Sequence, residues 1–158
     1  LPIFICAGPR RYAKLNSYGV RHVSDLLDSA GPLAGIVRAL EVAESAGPGD
    51  GYVLVVPTDS LVPLSFIYRR LIDSLSLSSK VVLLKAERLH PLHGLYSVAL
   101  ASRMRSYVGS GGRSVMGFLD NEPWDAAAAP PEWELCLNFN TPEEYEDALA
   151  AFAKLTSA

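Results

Sequence analysis

A chain of 158 residues, 49% apolar and 20% charged, has the composition of one globular domain with a real core and excludes intrinsic disorder. Its net charge of −3 is mild, and apart from Arg10, Arg11 and Lys14 and the pair Arg69-Arg70 the basic residues are scattered, which leaves no electrostatic footprint for nucleic acid. The two cysteines, Cys6 and Cys136, lie in apolar runs as reduced thiols would, no Cys/His spacing resembles a zinc site, and no leader or bilayer-spanning stretch is apparent, so a cytoplasmic protein without a membrane partner is expected.

The chain opens on Leu1-Pro2-Ile3-Phe4-Ile5-Cys6, in the middle of an apolar strand with no Met and no preceding turn, which reads as the loss of a true N-terminus. Residues 3–6 form a strand, residues 9–17 a short helix exposing Arg10, Arg11 and Lys14, and residues 21–24 another brief strand. Residues 32–46 are the clearest helix: Leu33, Ile36, Val37, Leu40 and Ala43 make one apolar stripe, while Arg38, Glu41 and Glu44 face water. The valine-rich run 52–56 has the character of a strand covered on both faces of a parallel sheet. A helix from near Pro63 carries Leu64, Ile67, Leu71 and Leu75, and a short buried strand spans 81–84. A strand-like stretch at 94–100 leads into helical segments at 102–107 and 114–119. Residues 120–131, with alanines at 126–129 between Pro123 and Pro130-Pro131, read as a solvated loop. A strand at 134–139 and an amphipathic helix to about residue 155 close the chain. The pattern is a single α/β domain over residues 1–158, three layers α/β/α around a mostly parallel sheet.

In such sheets ligands bind beyond the carboxyl ends of the strands. The last strand would place Asn138 and Asn140 on one face with Cys136, and Leu135, Leu137 and Phe139 on the other. Thr141 as N-cap, Pro142 at the first helical position and Glu144 as the capping-box partner would fix the junction that follows. That run suits an anion or nucleotide site, and on spacing alone it reads first as a well-punctuated junction. Asp59, directly after the valine-rich strand, can hold Mg²⁺ against a phosphate or make a turn with the backbone two residues on. Gly31-Pro32-Leu33-Ala34-Gly35 sits at a helix N-terminus, where free N–H groups favour an anion, though close helix packing through Gly35 explains it as well. Asp25 suits either a ribose or base edge or the turn before that helix. His90, His93 and Arg113 are candidate ligand contacts that, taken singly, also fit surface or packing positions.

The order of these signals is specific: Asp25, G-P-L-A-G at 31–35, P-T-D at 57–59, H-P-L-H-G-L-Y at 90–96, G-R-S-V at 112–115 and N-F-N-T-P-E-E at 138–144. Together they resemble the molybdenum cofactor guanylyltransferases, nucleotidyltransferases with a Rossmann-like fold of the nucleotide-diphospho-sugar transferase type. The resemblance implies transfer of GMP from GTP to molybdenum-bearing molybdopterin, with pyrophosphate released and Mg²⁺ as cofactor. It implies a catalytic, metal- and nucleotide-binding role for Asp59, nucleotide contacts from Asp25, Gly31, Pro32, Leu33 and Gly35, and a pterin side made by Arg113, Asn138 and Asn140. Implied partners are GTP and molybdopterin, with a molybdenum-insertion protein and molybdoenzyme chaperones beyond them.

The chain departs from the family at three points. Its glycine-rich L-A-G-G loop and the arginine and lysine that hold the triphosphate are not found, so a strand-loop-helix unit of roughly 40 residues is expected to be missing and the chain by itself nearly inactive. Leu61 stands where the family usually has proline, and Cys6 where it commonly has asparagine. Two other readings follow: a cytidylyltransferase acting on the same pterin, and a noncatalytic binding domain that lacks the phosphate loop.

Overall fold

The structure is a computed structural model that describes residues 2–6, 12–24, 31–47 and 49–157. Its elements in order are β1 (Ile3–Cys6), a 3-10 helix (Ala13–Tyr18), β2 (Val20–Val23), α1 (Gly31–Ala46), β3 (Tyr52–Val55), α2 (Leu64–Ile72), β4 (Val81–Lys85) and β5 (Leu89–Ser97). A 3-10 turn (Val98–Leu100), α3 (Ala101–Gly109), α4 (Val115–Leu119), β6 (Trp124–Ala128), a 3-10 turn (Pro131–Trp133), α5 (Glu134–Leu137) and α6 (Pro142–Thr156) complete it. The chain divides into two compact units, Leu1–Val53 with Tyr96–Glu122, and Leu54–Leu95 with Pro123–Ala158.

In the first unit β1 and β2 pair in parallel, from Ile3 opposite Val20 to Cys6 opposite Val23. The short helix expected at 9–17 is a 3-10 helix later in the chain, and residues 9–11 lie outside the described residues. None of its residues is buried, so no apolar stripe rewards a longer α-helix. Gly19 closes it at φ 72, a left-handed conformation that glycine reaches without a Cβ clash. Helix α1 buries Leu33, Ala34, Ile36, Val37, Ala39 and Leu40, and α3 packs on it with Ala101, Met104 and Val108 buried. Alanines at 34, 39 and 101 keep that interface thin. Glu41 does not face water as expected. Its carboxylate is 13% exposed and lies 3.2 Å from Arg38 and 2.9 Å from Arg105, one guanidinium from each helix.

The second unit carries a four-stranded sheet of order β3-β5-β4-β6, in which β3 begins and β5 ends at residues grouped with the first unit. Val81, Val82, Leu83 and Leu84 of β4 are fully buried, as that apolar run requires. Helix α2 lies against β4 and β6, and Ile67 and Leu71 join Val82, Leu84, Leu95, Ala127, Trp133, Cys136 and Leu137 in one core. Burying a leucine such as Leu71 contributes about 1.5–3 kcal/mol.

Three expectations are corrected here. Residues 124–128 are a strand, not a loop: β6 pairs in parallel with β4, Val81 opposite Trp124 through Lys85 opposite Ala128, and Ala127 is fully buried. Residues 134–137 are helical, not a strand, and Asn138 directly after them is extended. Leu135, expected to face the core, is 58% exposed, whereas Cys136 is buried. Strand β3 is half-buried rather than covered on both faces, because it stands at the end of the sheet order. Among the described residues no helix is long and apolar enough to cross a membrane.

Candidate functional site

Asp59 lies in the turn that follows β3, where the chain leaves the sheet. Its backbone carbonyl accepts the Phe139 N–H at 3.1 Å, and two residues on the Leu61 N–H donates to the Cys136 carbonyl at 2.9 Å. The loop after β3 therefore runs beside the segment after α5, main chain to main chain. A proline at position 61 has no N–H and cannot make the second bond, so the departure at Leu61 adds a tie. The Ser60 hydroxyl donates to the same Cys136 carbonyl at 3.2 Å, and His93 Nε2 of β5 lies 3.0 Å from Ser60 Oγ.

The Asp59 carboxylate is half-buried and makes no hydrogen bond among the described residues. It does not close a turn onto the backbone two residues on, which was the other reading of this position. No cluster of three His, Cys, Asp or Glu groups able to hold a metal occurs among the described residues. Among the described residues an ion on Asp59 would find one carboxylate, with water and substrate oxygens able to complete its shell. That donor set fits Mg²⁺, which keeps waters and prefers one or two carboxylates with phosphates.

Asn138 is half-buried in an extended conformation, φ −160 and ψ 134, and Asn140 is exposed. Neither side-chain amide is hydrogen-bonded among the described residues, so both present donors and acceptors to a ligand. Thr141 caps α6 as expected, its hydroxyl accepting the Glu144 N–H at 3.1 Å. The reciprocal bond is displaced by one residue: Glu144 Oε2 accepts from the Asn140 N–H at 2.6 Å, so the carboxylate holds the asparagine backbone instead of the cap's own. Phe139 turns its ring to Tyr145 at 5.0 Å and leaves the two asparagines on either side of an anchored residue.

Other expected residues belong to the first unit. Gly31 opens α1 at φ +64 with Pro32 exposed behind it, whereas Leu33 is fully buried and can serve a ligand only through its main chain. The Gly35 carbonyl accepts a weak bond from the Cys6 thiol at 3.5 Å, where the family's asparagine would have offered an amide. Arg113 is exposed, and its Nη1 donates to the carbonyls of Val108 at 3.1 Å and Gly112 at 2.9 Å. The Tyr107 ring lies against Gly112 so closely that a Cβ there would clash with it. Asp25 lies outside the described residues.

His93 is 2% exposed, and burial, followed by the neighbouring His90, lowers its pKa to about 4. His90 meets its ring edge to face, 5.5 Å between centroids, with Nε2 buried and unpartnered among protein atoms. Burial lowers the His90 pKa, as does Arg88, against an opposing pull from Glu134. The link from His93 through Ser60 to Cys136 joins residues 33 and 76 positions apart, a separation that no local spacing signals.

Residues 1–123 match the family of MobA-like NTP transferase domains. The chain is 32% identical over 145 residues to a molybdenum cofactor guanylyltransferase of Rhizobium meliloti (strain 1021), a match that covers 85% of this chain and 66% of the relative. It thus spans about two thirds of the length of that relative. Its fold is similar to that of a protein from Aquifex aeolicus VF5, with TM-score 0.70 and 22% identity over 87% of this chain and 70% of the other. It is also similar to molybdopterin-guanine dinucleotide biosynthesis protein A from Archaeoglobus fulgidus, with TM-score 0.65 and 22% identity over 90% and 73% of the two chains. At such identity the structural likeness bears on the fold alone, and it is the α/β fold of the nucleotide-diphospho-sugar transferase type that the sequence led us to expect.

Proposed function

Because the chain belongs to the MobA-like NTP transferase family, we propose that the protein transfers GMP from GTP to molybdenum-bearing molybdopterin, releasing pyrophosphate and forming the guanine dinucleotide cofactor. The observation that carries this reading is the main-chain pairing of the Asp59 turn with the segment that bears Asn138 and Asn140. It sets an unpartnered carboxylate and two unpartnered amides on neighbouring stretches of chain, one suited to a metal-bound phosphate and the other to a polar heterocycle.

The reaction needs the α-phosphorus of GTP held for in-line attack by a phosphate oxygen of the pterin, with the bond to the pyrophosphate oxygen breaking as the new P–O bond forms. Asp59 would hold Mg²⁺, which would supply charge neutralisation for the phosphates during transfer. The protein's part is to hold the Asp59 oxygens toward the phosphates and to present the Asn138 and Asn140 amides to the pterin. The nucleotide meets the Gly31-Pro32-Leu33 main chain at the start of α1, where N–H groups and the helix dipole favour negative charge. Asp25 is assigned a ribose or base contact and Arg113 a contact with the acceptor, each on the family likeness.

Asp59→Asn in the full-length gene product tests the reading. Its side chain has no partner to lose, so folding and melting temperature should stay unchanged while GTP-dependent product formation falls by at least about a hundredfold. Retention of activity by that variant would remove Asp59 from the chemistry. Equal use of CTP by the parent protein would overturn the guanylyl assignment.

A further inference from the structure

We infer that His93 is a positioning residue that, through the Ser60 hydroxyl, holds the Asp59 turn in register with the Asn138–Asn140 segment. The inference rests on the proposed transfer for its kinetic part and on geometry for the rest. A carbonyl can only accept, so the bond from Ser60 Oγ to the Cys136 carbonyl uses the one hydroxyl proton. The contact from His93 to Ser60 Oγ at 3.0 Å must then carry its proton on the imidazole, as Nε2–H donating to the hydroxyl oxygen. The chain of donors runs in one direction: His93, Ser60, Cys136 carbonyl.

The anchor is rigid. His93 sits on β5, which has a strand on each side in the sheet order, and the residue is 2% exposed. A histidine serving only to fill space would not need a polar partner, and a leucine would fill it without desolvating two nitrogens. Ser60 immediately follows Asp59. The main-chain bonds at Asp59 and Leu61 fix the two ends of the 59–61 stretch, and the Ser60 bond fixes its middle. With all three in place the Cα–Cβ bond of Asp59 has one direction in which to leave the turn.

The test uses the fact that a glutamine amide nitrogen reaches about as far as histidine Nε2, whereas an asparagine amide reaches only as far as Nδ1. In the full-length protein, His93→Asn and Ser60→Ala should each raise the Mg²⁺ concentration for half-maximal turnover about tenfold, the worth of one net hydrogen bond. His93→Gln should restore the parent requirement. The inference fails if His93→Asn keeps the parent metal requirement, or if the asparagine and glutamine variants are impaired alike, which is what loss of packing alone would give. Nitrogen-resolved imidazole NMR supplies a readout independent of turnover. The Nε2-protonated tautomer of His93, with its Nε2–H signal moved by Ser60→Ala, upholds the tie, and the Nδ1-protonated tautomer overturns it. Should the parent protein make no product at all, the transfer reading falls and the NMR result alone decides the tie.

Discussion

His93 shows how a single buried group sets a pH dependence that its residue type would not suggest. An unfolded imidazole takes up a proton near its ordinary value of 6.5, while the folded one resists protonation down to about 4 because burial, and then His90, oppose the charge. Across that window the unfolded state binds more protons, so stability falls as the pH drops from about 6.5 toward about 4. The slope from this residue is at most about 1.4 kcal/mol per pH unit. Chemical denaturation at a series of pH values should show the slope in the parent and a flatter profile in His93→Gln. His90, whose pKa burial also lowers, adds to it in the same direction. Parallel profiles for parent and variant would exclude His93 as its source. Asp125 works the opposite way at lower pH. Hydrogen bonds from Ser79 and Ser76 hold its carboxyl below the ordinary value, so its contribution is present above that value and is lost as the pH falls through the lowered one.

At the level of elements, β6 is where reading the sequence and building the structure part. Alanine is a weak strand former, and a tract of it between prolines has the composition of a connection. The strand exists because β4 offers an open row of backbone groups beside it, a tertiary cause with no local trace. Its inward position is Ala127, while Ala126 and Ala128 are exposed. Ala127→Leu should therefore cost about 1–3 kcal/mol in urea unfolding by overpacking, and Ala128→Leu should stay within about 0.5 kcal/mol. Equal effects at both sites would be incompatible with the alternation of a strand. The misread helix α5 is different, because its signal was there: buried Trp133, Cys136 and Leu137 recur at helical spacing, i, i+3 and i+4, which competes with the alternation of Leu135, Leu137 and Phe139. A long stripe or a full apolar run made α1, β4 and α6 the most legible, and β1, β2, β3, α2, α3 and α4 also lie within a few residues of where the sequence puts them. Of the site, Asp59 and the Thr141 cap could be read locally. The ties that hold Asp59 could not, since their partners meet only after the sheet has formed.

For the whole molecule, the chain divides into two compact units, and Asp59, Asn138 and Asn140 all belong to the second. Each unit has its own buried cluster, and stability of the full-length protein should respond to nucleotide by mass action. GTP with Mg²⁺ at a hundred times its Kd should add about 2.7 kcal/mol to unfolding, measured by calorimetry, and the same concentration of CTP should leave the transition in place. A stabilisation by CTP as large as that by GTP would contradict the assigned base. The bonds that align the Asp59 turn with its neighbour have one more consequence. Two of them, at Phe139 and Leu61, are made between peptide groups, which every residue except proline supplies alike. On the proposed reaction, a change of side chain at 138 or 140 would alter the contact with the acceptor while leaving both main-chain bonds, and with them the Asp59 turn, in place. Selectivity and chemistry would then rest on separable parts of the chain, so that acceptor specificity could be redesigned at 138 and 140 without disturbing the turn that carries the carboxylate.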